Sequence, residues 1–300
     1  MNLESGISFF IPAYNCGSTI VESVESIMVG NFNHERDELI IVNDCSTDNT
    51  LSVLLELQKK YPTISVFTNN RNRGGAATRN IAIENTNHSL IFCLDSDNVL
   101  MPDSIPLLKK KLIMESADVA AFEELHYFKT IKTEITHKWK FDRVVWDIHY
   151  LLSHTQNPPA SGNYMFTKQS WLNAGGYPEF ANALDTWGFG VRQLFAKSKL
   201  VICEDTAYYH RYGHDSYWLR ESRKGKTSLT ALQVLIPYFE YIDEKSIDYI
   251  MSKANRLNWF DNIDNRPLLI LDTKRESLYP NSNTFFDKVK DKIRAIINAG

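Results

Sequence analysis

Asp95 and Asp97 stand two positions apart, directly after the apolar run 90–94. Two carboxylates at this spacing repel each other when both are ionised, so a cation or several hydrogen-bond donors must hold them in that state. Carboxylate oxygens are the ligands that Mg²⁺ and Mn²⁺ prefer, and such cations commonly bridge phosphate groups. The structural alternative is a cap, in which Asp97 or Asp103 begins the next helix.

Two glycine-rich nucleotide motifs are missing from the sequence. It contains no G-x-x-x-x-G-K-[ST], and no G-x-G-x-x-G follows the first predicted strand. A nucleotide bound by this chain would therefore need a metal, rather than a glycine-rich loop, to hold its phosphates. His210 and His214 are candidates to complete a metal shell around Asp97, because neutral imidazole is a common metal ligand. A surface or core histidine is the structural alternative for each.

The elements that must position these residues alternate between strands and helices. Apolar strands are predicted at 7–12, 38–44, 63–69 and 90–95. Helices are predicted between them at 17–29, 52–60 and 75–85. Continuous apolar strands separated by helices indicate a parallel sheet with both faces covered, and such sheets bind ligands outside the carboxyl ends of their strands. Polar residues follow each strand: Tyr14 and Asn15, Asn43 and Asp44, Asn69 and Asn70, and Asp95 with Asp97.

The pattern is less regular after residue 115. The predicted elements are a helix near 143–153, a strand at 162–167, short helices at 168–177 and 186–197, a strand at 199–203, and a helical stretch at 225–258. The final predicted helix, 284–298, is amphipathic. It would either pack on the body of the protein or contact a membrane surface.

Length, charge and cysteine content limit the class of protein. A chain of 300 residues can form one large α/β domain or two smaller ones, and its net charge of −3 gives no reason to expect nucleic acid as a partner. No stretch resembles a signal peptide or approaches the roughly 20 apolar residues of a membrane span. The four cysteines are isolated, which is typical of a reducing compartment. We therefore expect a cytoplasmic protein, with peripheral contact at the inner face of the membrane through 284–298 as the alternative.

Five successive blocks of the sequence resemble those of family 2 glycosyltransferases with the GT-A fold. They occur in order between residue 7 and about residue 217: SFFIPAYN, IIVNDCSTDNT, NRGGAATRN, FCLDSDNVLMPD and NYMFTKQSWLNAGGY. The resemblance implies an α/β fold, with a Rossmann-like, mixed but mainly parallel sheet flanked by helices. It also implies a transferase domain at 1–218, with a nucleotide-binding half (1–100) and an acceptor half (101–218). A mostly helical extension would occupy 219–300.

The resemblance implies which residues bind the nucleotide sugar. Asp44 takes the place of an acid that contacts the base, although Asn43 stands where the family has a further acid. Asp95 corresponds to an acid that faces the ribose or the donor sugar, and Asp97 to the metal ligand. The other implied nucleotide-sugar positions are Pro12, Ala13, Tyr14, Asn15, Asn72, Gly74, Gly75, Arg79 and Ser96.

The acceptor half departs from the family at the catalytic base. The family pattern E-D-W-x-x-x-x-R uses its second acid, and the matching position here is Thr186, which cannot act as a base near neutral pH. Asp185, one residue earlier, is therefore the predicted base, and a retaining mechanism without an enzymic base is the alternative. Retaining relatives with an R-x-G-H pattern use its histidine as a metal ligand, which favours His214 over His210.

The sequence thus predicts a metal-dependent glycosyltransferase that uses Mn²⁺ or Mg²⁺. Its donor would be a nucleotide-diphosphate sugar, expected to be a UDP-sugar because Asp44 suits a uracil edge. The acceptor would be a glycan or lipid-linked glycan in polysaccharide biosynthesis, bound on a side lined by Gly176 and Trp187. A sugar-1-phosphate nucleotidyltransferase is a further alternative, although residues 12–18 lack the basic residues that its loop would need.

Overall fold

The computed structural model describes residues 2–141, 146–153, 157–213, 217–222 and 227–251. The chain divides into two compact units, of which the first comprises 1–146 and 156–214 and the second 147–155 and 215–300. A boundary between a transferase domain at 1–218 and an extension at 219–300 stays a prediction. His214 and the predicted helix 284–298 lie outside the described residues. Every helix in the described ranges is too short or too polar to cross a bilayer.

Nine strands among the described residues form one sheet in the first unit. In chain order they are β1 Ile7–Ala13, β2 Glu38–Asn43, β3 Ile64–Thr68, β4 Leu90–Cys93, β5 Val99–Leu100, β6 Val119–Phe128, β7 His137–Lys140, β8 Met165–Thr167 and β9 Leu200–Arg211. Their order across the sheet is β3-β2-β1-β4-β8-β6-β9-β5, and β7 pairs with β6 outside that path.

The strand directions confirm the predicted mixed, mainly parallel sheet. β1 pairs in parallel with β2 and β4, β2 with β3, and β6 with β9. The short strand β8 runs antiparallel between β4 and β6. Six strands therefore end at the same edge of the sheet, which we call the carboxyl rim: β1, β2, β3, β4, β6 and β9.

Helices cover both faces of this sheet. The described helices are α1 Ile20–Met28, α2 Thr50–Lys60, α3 Gly75–Glu84, α4 Ser104–Met114, α5 Ile148–Ser153, α6 Pro158–Ser161, α7 Lys168–Ala174, α8 Asp185–Phe195, α9 Tyr217–Ser222, α10 Thr227–Leu235 and α11 Glu244–Met251. α1, α2 and α4 pack on one face in a core that includes Ile20 and Leu108. α3, α7 and α8 pack on the other face in a core that includes Ile83 and Phe189. Because both faces are buried, the central strands are continuously apolar rather than alternating.

The predicted strands and helices of the first hundred residues are all present. The sequence pattern does not predict β6 or β7, which occupy part of the region expected to be irregular. β9 continues to Arg211, well past the predicted 199–203, and therefore contains His210. The predicted helical stretch from 225 is interrupted after Leu235, because a 3₁₀ segment begins at Ile236 and Pro237 lacks the amide needed to continue the α-helix.

Candidate active site

The loop 95–98 carries both aspartates and is fixed at the carboxyl rim through its backbone. Thr19 Oγ1, just before α1, donates to the carbonyl of Ser96 at 2.9 Å. Arg211 Nε, at the end of β9, donates to the carbonyl of Asp97 at 3.0 Å. Two distant parts of the chain therefore hold this loop, so its conformation is set by the protein itself.

The carboxylate of Asp95 is held by two fixed donors. Arg79 Nη2 lies 2.8 Å from Asp95 Oδ1, and Asn163 Nδ2 donates to Asp95 Oδ2 at 3.2 Å. Asn163 Oδ1 also accepts a hydrogen bond from the backbone amide of Asp95 at 2.7 Å. A hydrogen bond from a charged donor to a carboxylate is among the stronger kinds in proteins. The position of the Asp95 carboxylate is therefore fixed by Arg79 and Asn163.

The same guanidinium reaches Asp185, a residue 106 positions away in sequence. Arg79 Nη1 lies 2.6 Å from Asp185 Oδ2, and Asp185 is only 3% exposed at the start of α8. Burial raises the pKa of the Asp185 carboxyl above its ordinary value, while Arg79 acts in the opposite direction. Burial acts to lower the pKa of Arg79, but its two carboxylate partners outweigh that and raise it. The guanidinium therefore stays charged between two acids.

Gly75 lies against this ion pair and leaves no room for a side chain. A Cβ at this position would stand 2.7 Å from Arg79 Nη1 and 2.7 Å from Asp185 Oδ2. These separations are shorter than any van der Waals contact, so a methyl group would displace one of the two charged partners. The second glycine of N-x-G-G is thus explained by close packing against Arg79 and Asp185.

The geometry of Asp185 bears on its predicted role as a base. Its Oδ2 contacts Arg79, and its Oδ1 accepts a hydrogen bond from the backbone amide of Thr186 at 2.8 Å. A general base must accept a proton from the substrate hydroxyl, and because Asp185 is only 3% exposed, a hydroxyl could reach its carboxylate only if the surrounding side chains moved. Thr186, at the family's base position, is 8% exposed. Asp185 as the base stays a prediction.

Asp44 organises the loop between β3 and α3. Its Oδ1 accepts hydrogen bonds from Asn69 Nδ2 and the amide of Arg73, both at 2.8 Å, and its Oδ2 accepts from the amide of Gly74 at 2.9 Å. Asn72 Nδ2 donates to the backbone carbonyl of Asp44 at 3.4 Å. A carboxylate offers about four acceptor positions, so about one remains for a base. That contact with a base stays a prediction.

The turn after β1 carries two exposed predicted residues, Tyr14 and Asn15. Tyr14 is 41% exposed at the carboxyl rim. Asn15 has a positive φ of 48° and is tied to the next loop, since its Oδ1 accepts from the amide of Thr47 at 2.8 Å. Ala13 is fully buried, and its carbonyl accepts from the amide of Asp44 at 2.8 Å. Ala13 therefore joins two strand ends, whereas the partly buried Pro12 and the exposed Tyr14 lie nearer to solvent.

The two residues predicted for the acceptor side are buried. Trp187 is 5% exposed. Gly176 is packed against Asn80, whose Oδ1 would lie 2.9 Å from an added Cβ. Asn80 Oδ1 also accepts from the amide of Tyr177 at 2.8 Å and from Trp171 Nε1 at 3.1 Å. These contacts dock α3 onto α7 and the turn that follows it, and neither Gly176 nor Trp187 offers an open surface for a sugar.

The metal shell predicted for Asp97 is only partly described. His214 lies outside the described residues, and His210 lies in β9 with its Nδ1 at 3.4 Å from Tyr208 Oη. Within the described ranges, no group of three His, Cys, Asp or Glu side chains is placed to hold a metal. Mg²⁺ is commonly held by one or two carboxylates together with substrate phosphates and water. Asp97 together with a diphosphate would supply that kind of donor set.

The capping alternative for the acidic pair finds no support in the structure. Asp103 precedes α4 with a φ of 59°, and its side chain makes no capping hydrogen bond to that helix. The loop that contains Asp97 ends before β5, five residues upstream of α4. The acids at 95 and 97 are therefore not explained by helix capping.

Asn163 is a site residue that the sequence pattern does not single out. Besides Asp95, its Nδ2 contacts the carbonyl of Ser161 at 2.7 Å and Tyr208 Oη at 3.3 Å. Asn163 is 1% exposed although it precedes a strand of apolar residues. A buried asparagine at the head of NYMFT is the signal that would have identified it, because a buried amide requires partners.

The sequence profile of glycosyl transferase family 2 matches residues 8–174, which is more than half of the chain. The chain therefore belongs to glycosyl transferase family 2 and carries the transferase domain of that family. This match confirms the resemblance seen in the five sequence blocks.

The chain is also similar to particular proteins of known structure or activity. Chondroitin synthase of Escherichia coli is 38% identical over 101 residues, covering 34% of this chain and 14% of that protein. The chain spans less than a fifth of the length of the first curated relatives it matches. TarS 1-349 of Staphylococcus aureus in complex with UDP-GlcNAc has a TM-score of 0.62 at 15% identity, covering 91% of this chain and 92% of TarS.

A second solved structure is the mannosyltransferase PcManGT from Pyrobaculum calidifontis in complex with GDP-Man and Mn²⁺. Its TM-score is 0.59 at 14% identity, and the match covers 98% of this chain and 86% of PcManGT. At such identities the two solved structures show a shared fold alone. They confirm the predicted GT-A-type fold.

Proposed function

We propose that this chain transfers a sugar from a nucleotide-diphosphate sugar to a hydroxyl of a glycan or lipid-linked glycan, in polysaccharide biosynthesis. The observation that carries the proposal is the clamped D-x-D loop: Arg79 and Asn163 hold Asp95 at the rim where a parallel sheet binds its ligand. Membership of glycosyl transferase family 2 supports it.

Asp95 and Asp97 have different roles in this proposal. Asp95 is already occupied by Arg79 and Asn163, so it presents an oriented charge toward the ribose or the donor sugar. Asp97 is the proposed ligand of Mn²⁺ or Mg²⁺, together with His214 or His210. When bound, the cation would neutralise the charge that develops on the leaving diphosphate.

Asp44 supports the choice of a UDP-sugar as donor. Three of its acceptor positions are used by the 69–74 loop, and about one more can accept the N–H of a uracil edge. Pro12, Tyr14, Asn15 and Asn72 surround the same strand ends and would complete the nucleotide site. The solved structure of TarS, which shares the fold, contains UDP-GlcNAc.

A retaining transferase is a second candidate, favoured by the ion pair of Asp185. A base is required for inversion by direct attack, yet Asp185 is bonded to Arg79 and Thr186 takes the family's base position. NMR of the product anomer compared with the donor would separate the two stereochemical courses. Peripheral contact with a membrane through 284–298 is a further part of the proposal and does not affect this choice.

A screen of nucleotide sugars by nucleotide release tests the proposed function. Wild-type protein should release nucleotide from at least one UDP-sugar with Mn²⁺ or Mg²⁺ present and lose that activity with a chelator. Asp97→Ala should remove metal-dependent turnover, whereas Asp103→Ala, at a nearby exposed aspartate, should not. Undiminished transfer by Asp97→Ala would refute the metal assignment. Wild-type protein that binds and turns over no nucleotide sugar would refute the proposed function.

A further inference from the structure

Four aromatic or imidazole side chains form a continuous surface beyond Asp95. We call it the aromatic ledge; it consists of Tyr127 in β6, His137 in β7, His210 in β9 and Tyr212 directly after β9. The rings of Tyr127 and His137 stack with centroids 4.1 Å and planes 12° apart. His210 and Tyr212 meet the ring of Tyr127 edge-on, at centroid distances of 4.9 and 6.0 Å. Only His210 has another proposed role, as the alternative metal ligand.

The strand register places the ledge on one face of the sheet. Tyr127 pairs with His137 across β6 and β7, and with His210 across β6 and β9. Side chains of paired residues lie on the same face, and Tyr212 follows His210 by two positions. His137 is exposed, while Tyr127, His210 and Tyr212 are half-buried. The ledge therefore has a side that is open to solvent.

A short chain of polar contacts connects the ledge to the donor side of the rim. Asp95 Oδ2 lies 3.2 Å from Asn163 Nδ2, which lies 3.3 Å from Tyr208 Oη. Tyr208 Oη in turn lies 3.4 Å from His210 Nδ1. The ledge thus begins three consecutive contacts away from the acid proposed to face the donor sugar. An acceptor hydroxyl must come close to the reacting carbon of the donor sugar, so an acceptor surface should lie near Asp95, as the ledge does.

The predicted acceptor residues do not provide such a surface, because Gly176 and Trp187 are buried. The ledge does, since aromatic rings combine an apolar face, on which a sugar ring can lie, with polar atoms at the edge that can bond its hydroxyls. We infer that the aromatic ledge binds the acceptor saccharide, with one sugar ring lying on the face of the exposed His137 that does not stack on Tyr127. This inference rests on the proposed transferase function and names the acceptor surface of the same site.

The matched variants are His137→Ala and Lys138→Ala. Both residues are exposed in β7, but successive residues of a strand point to opposite faces, so Lys138 lies away from the ledge. Tyr212→Ala provides a second ledge variant. Loss of one ring contact should raise the KM for the acceptor about two- to tenfold. The KM for the donor sugar should stay unchanged, and Lys138→Ala should match the wild type.

Binding is measured directly with ¹³C-histidine-labelled wild-type protein, with UDP present. The probes are oligosaccharides of chondroitin, of hyaluronan and of β-1,6-linked N-acetylglucosamine. At least one should shift the ring signals of His137, which are assigned by their absence from His137→Ala. The inference is overturned if no probe shifts them, if the ledge variants retain wild-type acceptor KM, or if Lys138→Ala raises that KM equally. Wild-type protein that turns over no donor instead refutes the proposed function.

Discussion

Arg79 Nη1 and Asp185 Oδ2 lie 2.6 Å apart and join α3 to the start of α8. The second arm of the guanidinium is 2.8 Å from Asp95 Oδ1. A single buried cation therefore fixes the relative position of the D-x-D loop and the segment at which the family carries its base. The relationship explains why arginine stands at position 79, since its planar fork can hold two carboxylates and a lysine ammonium cannot do so with the same geometry.

Replacing Arg79 should destabilise the protein strongly. Arg79→Met leaves two acids without their cation, and breaking a buried ion pair typically costs about 3–5 kcal/mol in the free energy of unfolding. Arg79→Lys keeps the charge and should cost less, while still impairing turnover through a misplaced Asp95. Urea unfolding and nucleotide release measure the two effects. A wild-type midpoint for Arg79→Met would contradict this account of the ion pair.

Asp185→Asn should change how stability depends on pH. Because burial raises the pKa of Asp185, the folded protein binds this proton more tightly than the unfolded chain does. Its contribution therefore favours folding at low pH and declines as the pH rises above about 3.9, the ordinary aspartate pKa. The free energy of unfolding of the wild type minus that of Asp185→Asn should fall over this range. Urea titrations at several pH values measure this difference between the two free energies of unfolding. A difference that rises with pH would show that Arg79, rather than burial, determines the direction of the pKa shift of Asp185.

Gly75→Ala should weaken the same ion pair without removing a charge. The added methyl group would lie 2.7 Å from both Arg79 Nη1 and Asp185 Oδ2, and overpacking of this kind costs about 1–3 kcal/mol. A double-mutant cycle with Arg79→Met separates this effect from a change in helix α3. The cost of Gly75→Ala should shrink when Arg79 is already absent. If the costs of the two substitutions simply add, the strain of Gly75→Ala does not arise from its contact with Arg79.

Asp44→Asn should weaken donor binding through the 69–74 loop. The amide nitrogen of the new side chain would face one of the backbone amides that now donate to the carboxylate, and an unsatisfied buried donor costs about 1–3 kcal/mol. We expect the Kd for UDP, measured by calorimetry, to rise about tenfold or more, as 1.4 kcal/mol corresponds to one decade. Asn70→Ala, at an exposed position of the same loop, should leave the Kd for UDP unchanged.

Sequence patterns predict the nucleotide-binding half well because its strands are buried on both faces. Runs such as Phe9, Phe10 and Ile11 have no interpretation other than a buried element, and their ends define the rim. The sequence pattern does not predict β6 and β7 for the opposite reason, which is that they are less buried. β7 is exposed along its length. β6 has only the short apolar run 119–122 before acidic, aromatic and histidine residues that are partly exposed, so most of its length lacks an apolar pattern.

Long-range pairing is the other part of the site that the sequence does not reveal. The motif residues Arg79 and Asp95 can be placed near each other because Arg79 lies in the N-terminal half of α3 and Asp95 follows the next strand, β4. The partnership of Arg79 with Asp185 spans 106 positions and depends on where α8 begins. The buried state of Gly176 and Trp187 likewise depends on tertiary packing, which composition and spacing do not encode.

The reversed direction of β8 has a consequence for how the site is assembled. In a wholly parallel sheet, residues that precede a strand enter at the edge remote from the ligand. Because β8 runs antiparallel beside β4, Asn163, two positions before its first residue, arrives at the same edge as Asp95. A three-residue strand thus delivers an amide from the latter half of the polypeptide to an acid of the first half. Shifting β8 by one residue would reverse the faces of its side chains and separate Asn163 from Asp95.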